Sequence, residues 1–163
     1  MANKFHPTCT IGKWCSIEVS SRGTDTSIGA NSVLDDFVKI KHVGGIGNIE
    51  IGQFVYINSG TVLYSGNGIK IGNNVLIGPN CNLMPVNHQY SNPERIIRSQ
   101  GFQPSRGGII IEDDVWLGAN VTLLDGAIIR RGCVIGANSL VSSDTDEYGI
   151  YAGIPAKKIK TRR

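Results

Sequence analysis

Asn87 and His88 stand where the chain abandons an otherwise regular pattern, and Glu94, Arg95, Arg98 and Arg106 follow in the same stretch. These are side chains suited to proton transfer and to anion binding. A neutral imidazole can take a hydroxyl proton near pH 7, and a carboxylate beside it can select the useful tautomer. A histidine at a loop root can equally do no more than cap backbone groups, and His88 taken alone leaves both readings open. His6 and His42 lack that setting, and a structural role is preferred for each. The four cysteines form no C-x-x-C pair and share one slot of a repeat, which speaks against a disulfide framework or a metal site.

The elements that position these groups are legible in a repeat. Ile111, Leu117, Leu123, Ile129, Ile135 and Val141 are spaced six residues apart, and the position four after each reads Val115, Val121, Ala127, Cys133, Ser139, Thr145. A strand has period 2 and a helix 3.6, so a strict six points to short strands joined by tight bends, a parallel β-helix. The same grammar runs through Phe5, Ile11, Ile17; Ile28, Leu34, Ile40; Ile51, Ile57, Leu63; and Ile71, Ile77, Leu83. Each block of three hexads makes one three-sided coil of 18 residues. Six coils are expected, and at about 4.8 Å per rung they would stand about 25–30 Å tall. All four cysteines fall in the small slot, which reads as buried thiols acting as small hydrophobes.

Insertions between blocks carry turn formers: Ser20–Gly23, Gly44–Asn48 and Gly66–Gly68. One differs in kind. After Leu83 the next anchor does not arrive until Ile111, leaving residues 89–110 as a long inserted loop, and loops beyond about 12–15 residues in compact domains are usually functional or disordered. Residues 147–163 read as a C-terminal cap with a basic tail, within one domain spanning 1–163.

Bulk composition narrows the function classes. The chain has 163 residues, 40% hydrophobic and 18% charged, with 21 glycines distributed through the hexads rather than in a linker. A net charge of +3 without a dense basic face gives no reason for a nucleic-acid partner. No stretch approaches the ~18 apolar residues of a membrane span, so no membrane insertion is expected and a cytoplasmic location is.

Five segments carry a family resemblance: Ile71–Asn80, Asn87-His88, Asp113–Val121, Ile135–Ser139 and Ala152–Lys157. Together they resemble the hexapeptide-repeat acyltransferases, in the branch of galactoside, maltose and polysaccharide O-acetyltransferases, over roughly Ile49 to the carboxyl end. The resemblance implies an all-β, left-handed parallel β-helix; periodicity alone cannot give handedness, and the usual crossover rule is right-handed. It also implies a homotrimer with acetyl-CoA lying in clefts between neighbouring prisms.

Carried over residue by residue, His88 matches the family's general base, and Glu94 resembles the loop carboxylate that orients it, with inexact spacing and a loop salt bridge as the alternative. Asn87 occupies a small inward slot and could help fix the base. Tyr56 and Asn58 resemble acceptor contacts, or are ordinary outward residues of a hexad. Trp116, which precedes the anchor Leu117, borders the pantetheine cleft in the family, and burial in a trimer contact is compatible with that. Gly118, Ala119, Ala137 and Ser142 would let a pantetheine arm approach backbone amides at matching corners, and Lys157 and Lys160 match basic positions that meet CoA phosphates. The family's basic residue near Ser143 is absent, which weakens the phosphate assignment.

The resulting expectation is an acetyl-CoA-dependent O-acetyltransferase acting directly on a sugar hydroxyl, since no cysteine or serine is placed as an obvious covalent carrier. An N-acetyltransferase on an amino or nucleotide sugar is the close alternative. A γ-type carbonic anhydrase shares the prism but needs three zinc-binding histidines gathered together, and His6, His42 and His88 are widely separated. A non-catalytic binding solenoid fits poorly with the long loop and an isolated outward tryptophan.

Overall fold

The computed structural model describes residues 3–163. Its strands fall into three sheets that form the sides of a prism. Sheet A holds β1 (Lys4–Phe5), β4 (Thr26–Ile28), β7 (Ile49–Ile51), β10 (Ile69–Ile71), β13 (Ile109–Ile111) and β16 (Ala127–Ile129). Sheet B holds β2 (Thr10–Ile11), β5 (Val33–Leu34), β8 (Tyr56–Ile57), β11 (Leu76–Ile77), β14 (Trp116–Leu117) and β17 (Val134–Ile135), continued by β19 (Gly149–Gly153) and β20 (Ala156–Thr161). Sheet C holds β3 (Ser16–Ile17), β6 (Lys39–Lys41), β9 (Val62–Tyr64), β12 (Asn82–Met84), β15 (Thr122–Leu124) and β18 (Leu140–Val141). One strand per sheet makes a coil, and six coils stack with every neighbour parallel until β20, which turns back antiparallel to β19. The hexads predict this parallel coil, and its left hand is what the family resemblance implies.

The hexad explains the cross-section. Ile111, Leu117, Leu123, Ile129, Ile135 and Val141 are all buried, as are the six small-slot residues four positions later. At most A–B and B–C corners one residue takes a left-handed backbone: Asn31, Phe54, Asn74, Asp114 and Gly132 at the A–B corner, Gly60, Asn80, Asn120 and Asn138 at the B–C corner. Asn and Asp adopt that conformation at lower cost than other side chains. Trp14 and Phe37 occupy the B–C register of coils 1 and 2 with φ of 55° and 63°, where bulky residues incur about 1–2 kcal/mol each.

The four thiols do not behave alike. Cys81 and Cys133 are buried, whereas Cys9 and Cys15 are only half-buried. Coil 1 has no coil above it among the described residues, so its inward slots face an open end, and Phe5 and Ile11 are exposed for the same reason. His42 takes the structural role preferred for it. It is buried at the C–A corner, its ring nitrogens lying 2.8 Å from Thr24 Oγ1 and 3.1 Å from Thr26 Oγ1, and burial pushes its pKa down. His6 lies exposed at the A–B turn of coil 1, its Nδ1 3.0 Å from Thr8 Oγ1.

Strand β13 begins at Ile109, inside the stretch expected as loop, because Ile109 already pairs with Ile69 and Ala127. The basic tail is not a loose terminus. Strand β20 forms a hairpin with β19, Lys158 Nζ lies 2.8 Å from Asp146 Oδ2, and Arg162 Nη1 donates to Asp114 Oδ2 at 3.1 Å and to Gly132 O at 2.8 Å. Tyr151 and Ala156 of this hairpin pack against the core and close the lower end.

Candidate active site

His88 leaves the prism just after β12, at the C–A corner of coil 4. The loop it begins folds back on itself: Gln103 N–H donates to Asn87 O at 2.9 Å, Gln89 N–H donates to Gly101 O at 3.0 Å, and His88 bridges Phe102 between them. The Phe102 ring lies 4.8 Å from the imidazole, tilted by 33°. His88 is thus exposed but held, by a ring on one side and a short antiparallel ladder through its own backbone. Asn87 contributes through its carbonyl.

The other end of the loop is fixed by a residue that sequence patterns did not single out. Asp125, 2% exposed, accepts hydrogen bonds from Arg106 N–H at 2.8 Å, Gly108 N–H at 2.9 Å and Asn67 Nδ2 at 3.1 Å. A buried carboxylate is stable only when so satisfied, and here its partners are the returning limb of the loop. The Arg106 side chain then crosses Gly126, and its Nη2 donates to Ser142 O at 3.1 Å. In sequence, Asp125 beside Gly126 looks like an ordinary turn former. Within the loop, one helical turn, α1 (Ile97–Gln100), presents Gln100, whose Nε2 donates to Asn92 O and Arg95 O while its Oε1 accepts from Asn92 N–H.

Glu94 is not brought to His88. Its N–H donates to Asn92 Oδ1 at 2.9 Å in a local turn, and among the described residues its carboxylate makes neither a bond to the imidazole nor an ion pair with a loop arginine. The loop is pinned through Asn92 and Gln100, which leaves Glu94 facing solvent; Phe102 holds the ring instead.

Trp116 lies on a different side of the molecule. Residues facing outward on sheet B run in register as Val33, Tyr56, Leu76, Trp116, Val134 and Ile150, and Lys160 pairs with Ile150 at the end. Leu76 and Trp116 are each 54% exposed. The matching row on sheet A runs Lys4, Ser27, Glu50, Lys70, Ile110, Ile128, charged in the upper coils and apolar in the lower two, whereas the B row is apolar or aromatic from Val33 to Ile150 and ends in lysine. An elongated ligand with an apolar middle and an anionic end fits the B row.

At the B–C corner beside that row, Ala119 and Ala137 occupy matching turns of coils 5 and 6, and among the described residues neither N–H has a hydrogen-bond partner. Gly118 proves to be a packing residue: it is buried, and a Cβ there would lie 2.7 Å from Ala137 N. Ser142 is not at this corner. It follows β18 and lies across sheet C, because each hexad advances the chain by one face. Tyr56 is 38% exposed on β8, but Asn58 Nδ2 donates to Ile77 O at 2.8 Å, so that side chain partly serves its own corner. Lys157 and Lys160 are exposed on β20.

Burial pushes the Cys81 and Cys15 thiols up, away from thiolate, and Cys133 Sγ lies 2.9 Å from Asp146 O. Among the described residues no group of His, Cys, Asp or Glu side chains is arranged to hold a metal ion, and no helix is long and apolar enough to cross a membrane.

Comparison with known proteins agrees with the fold. The family described as bacterial transferase hexapeptide (six repeats) matches residues 108–143. WbbJ of Escherichia coli (strain K12), named for an O-acetyl transferase of lipopolysaccharide biosynthesis, is 35% identical over 146 residues, 85% of this chain and 69% of its own. The galactoside O-acetyltransferase of Lactococcus lactis is 36% identical over 108 residues, covering 66% of this chain and 50% of its own. A variant of AntD, an N-acyltransferase from Bacillus cereus solved with dTDP and coenzyme A, superposes with a TM-score of 0.76 at 26% identity, covering 94% of this chain and 84% of that one. The chain spans between 38% and 69% of the length of the first curated relatives it matches. The repeat, the interrupting loop and these likenesses together place the chain in the hexapeptide-repeat acetyltransferase family.

Proposed function

We propose that this protein is an acetyl-CoA-dependent O-acetyltransferase that acts on a sugar hydroxyl of a saccharide or surface-polysaccharide precursor, with His88 as general base. The observation that carries the reading is an exposed histidine packed on Phe102 at the point where the prism is interrupted, in a chain whose sheet B offers an apolar row ending in lysine.

Acetyl-CoA supplies the acetyl group as a thioester. His88 takes the proton of the acceptor hydroxyl as its oxygen bonds to the acyl carbon, and returns it to the sulfur as the C–S bond breaks. The free N–H groups of Ala119 and Ala137 can donate to the acyl oxygen as charge develops, and such preorganised donors act without reorganisation cost. Trp116 lies beside the pantetheine arm, with Lys157 and Lys160 toward the phosphates. Transfer is direct: Cys81 and Cys133 are buried, and the half-buried Cys9 and Cys15 lie on coil 1, away from His88 on coil 4.

His88 and Trp116 lie on different sides of one chain, so a site using both draws them from two copies. We read the active form as a homotrimer in which the loop of one subunit covers the B face of the next. Exposed Tyr90, Ile96 and Ile97 on the loop provide the apolar surface for that contact. An N-acetyltransferase acting on an amino or nucleotide sugar is the second reading, favoured by the likeness to AntD.

A thiol-release assay with acetyl-CoA against sugars, oligosaccharides, amino sugars and nucleotide sugars tests the proposal, with chloramphenicol, the acceptor named for a further relative, as a non-sugar comparison. Turnover with sugar hydroxyls is expected. Turnover only with amines favours the second reading, and turnover only with chloramphenicol removes the saccharide.

A further inference from the structure

Trp14 and Phe37 stack on each other at the B–C corner of coils 1 and 2, with ring centroids 5.1 Å apart and planes 14° from parallel. They are nonetheless 70% and 58% exposed. The corner register is continuous: Phe37 N–H donates to Lys13 O at 3.0 Å, and Gly60 N–H in coil 3 donates to Asp36 O at 3.3 Å. Further down, the same position is Asn80, Asn120 and Asn138, residues that accept a left-handed backbone easily. Two bulky rings therefore stand where the repeat prefers asparagine or glycine, and among the described residues nothing covers them.

The surroundings indicate a ligand class. Lys13, Asp35, Asp36 and Lys39 lie within two residues of one ring or the other along the chain and balance to neutrality. Asp36 Oδ1 accepts the Lys13 N–H, while the Asp35 carboxylate has no hydrogen-bond partner among the described residues and is free to accept hydroxyl protons. A flat aromatic face beside an unused carboxylate suits the C–H face and hydroxyls of a neutral pyranose. A nucleoside diphosphate would find no excess of positive charge here.

The patch is also continuous with the candidate acceptor contacts. Asp35 N–H donates to Ile57 O at 2.9 Å, which places Asp35 directly above Asn58, and Tyr56 pairs with Val33 on the adjoining strand. From coil 3 to coil 1 is two rungs, about 10 Å, the reach of a short oligosaccharide rather than of a single ring.

We infer that the Trp14–Phe37 stack is a distal saccharide subsite, so that the acceptor is an oligosaccharide or polymer whose far residue rests on these rings while a nearer residue lies at Tyr56 and Asn58. This rests on the saccharide O-acetyltransferase reading. The test measures KM for galactose and for galacto-oligosaccharides of two to four units in the wild type, W14N and F37N. Asparagine is the residue that lower coils use at this register, so both variants keep the corner. Expected are a wild-type KM that falls with chain length and a rise of about tenfold for the longer acceptors in each variant, equivalent to about 1.4 kcal/mol. The KM for galactose, the KM for acetyl-CoA and kcat stay unchanged. In a W116F background, where Trp14 is the remaining tryptophan, its fluorescence changes on addition of the tetrasaccharide alone. If no saccharide is turned over, the functional reading fails and takes this one with it. If saccharides are turned over with a KM independent of length, or F37N behaves as wild type, the function stands and the distal subsite is refuted. A Trp14 response to dTDP and not to saccharide also refutes it.

Discussion

The prism of coils 5 and 6 and the loop that precedes it are built on opposite terms. In the prism every inward side chain from Ile111 to Val141 is buried among aliphatic neighbours, and the backbone is tied rung to rung. In the loop from Asn87 to Gly108 most residues are exposed, and the fold is held by a few polar anchors: Gln100 at the tip, the Asn87–Gln103 pairing at one root and Asp125 at the other. The prism derives its position from burial and can carry no reactive group inward. The loop gives up burial and so can present an imidazole to solvent at a fixed place. Stability and chemistry are thus separable in this chain, and variants can be sorted by which of the two they damage.

The sharpest separation is expected at His88. H88A lowers kcat by on the order of 10²–10⁴ while the far-UV spectrum and oligomeric state are unchanged, because the side chain is exposed and supplies only proton transfer. Retained turnover would place the base elsewhere. The reverse case is L117A, which empties a slot that is 0% exposed and costs about 2–5 kcal/mol in urea unfolding, with KM values little altered in the protein that remains folded.

Asp125 tests the link between the two regions. D125A leaves the N–H groups of Arg106 and Gly108 without their acceptor, a local penalty of about 1–3 kcal/mol. Hydrogen exchange should rise in the loop and not in sheets A to C, with kcat falling about tenfold if the loop holds His88 in place. Unchanged exchange in the loop would show that Asp125 is not its anchor.

The smallest effect concerns His42. Burial holds its folded pKa below the unfolded value near 6.5, so between the two values the unfolded chain binds the extra proton. Stability therefore rises with pH across that window and is lost as pH falls below about 6.5. Comparing unfolding at pH 7 and pH 5 in wild type and H42N checks this, and an equal slope in both would contradict it.

The contrast also explains what the sequence could disclose. Hexads repeat, so the anchors, the small slots, six coils and the place of the interruption were all legible. End effects are not periodic, and the half-exposed Cys9 and Cys15 follow from the open end rather than from their slot. Polar anchoring is not periodic either: Asp125 carries no mark that separates it from a turn residue, and Asn58 gave no sign that its amide would bond Ile77 O. Corner spacing looks alike on all three faces, so the hexad count alone does not separate Ser142 from Ala119 and Ala137. His88 stands out in the sequence because it lies at the break, whereas its neighbour Phe102 comes close only when the loop folds back.

The central claim is that His88 of one copy works against the Trp116 face of another, and subunit complementation tests it most directly. H88A and W116A, each nearly inactive alone, are unfolded together and refolded as a mixture. With random assembly, a site pairing an intact His88 with an intact Trp116 from the neighbouring copy forms with a probability of about one quarter, so about a quarter of wild-type activity should return. Activity that stays at the level of the separate variants would contradict a shared site and return both residues to a single chain.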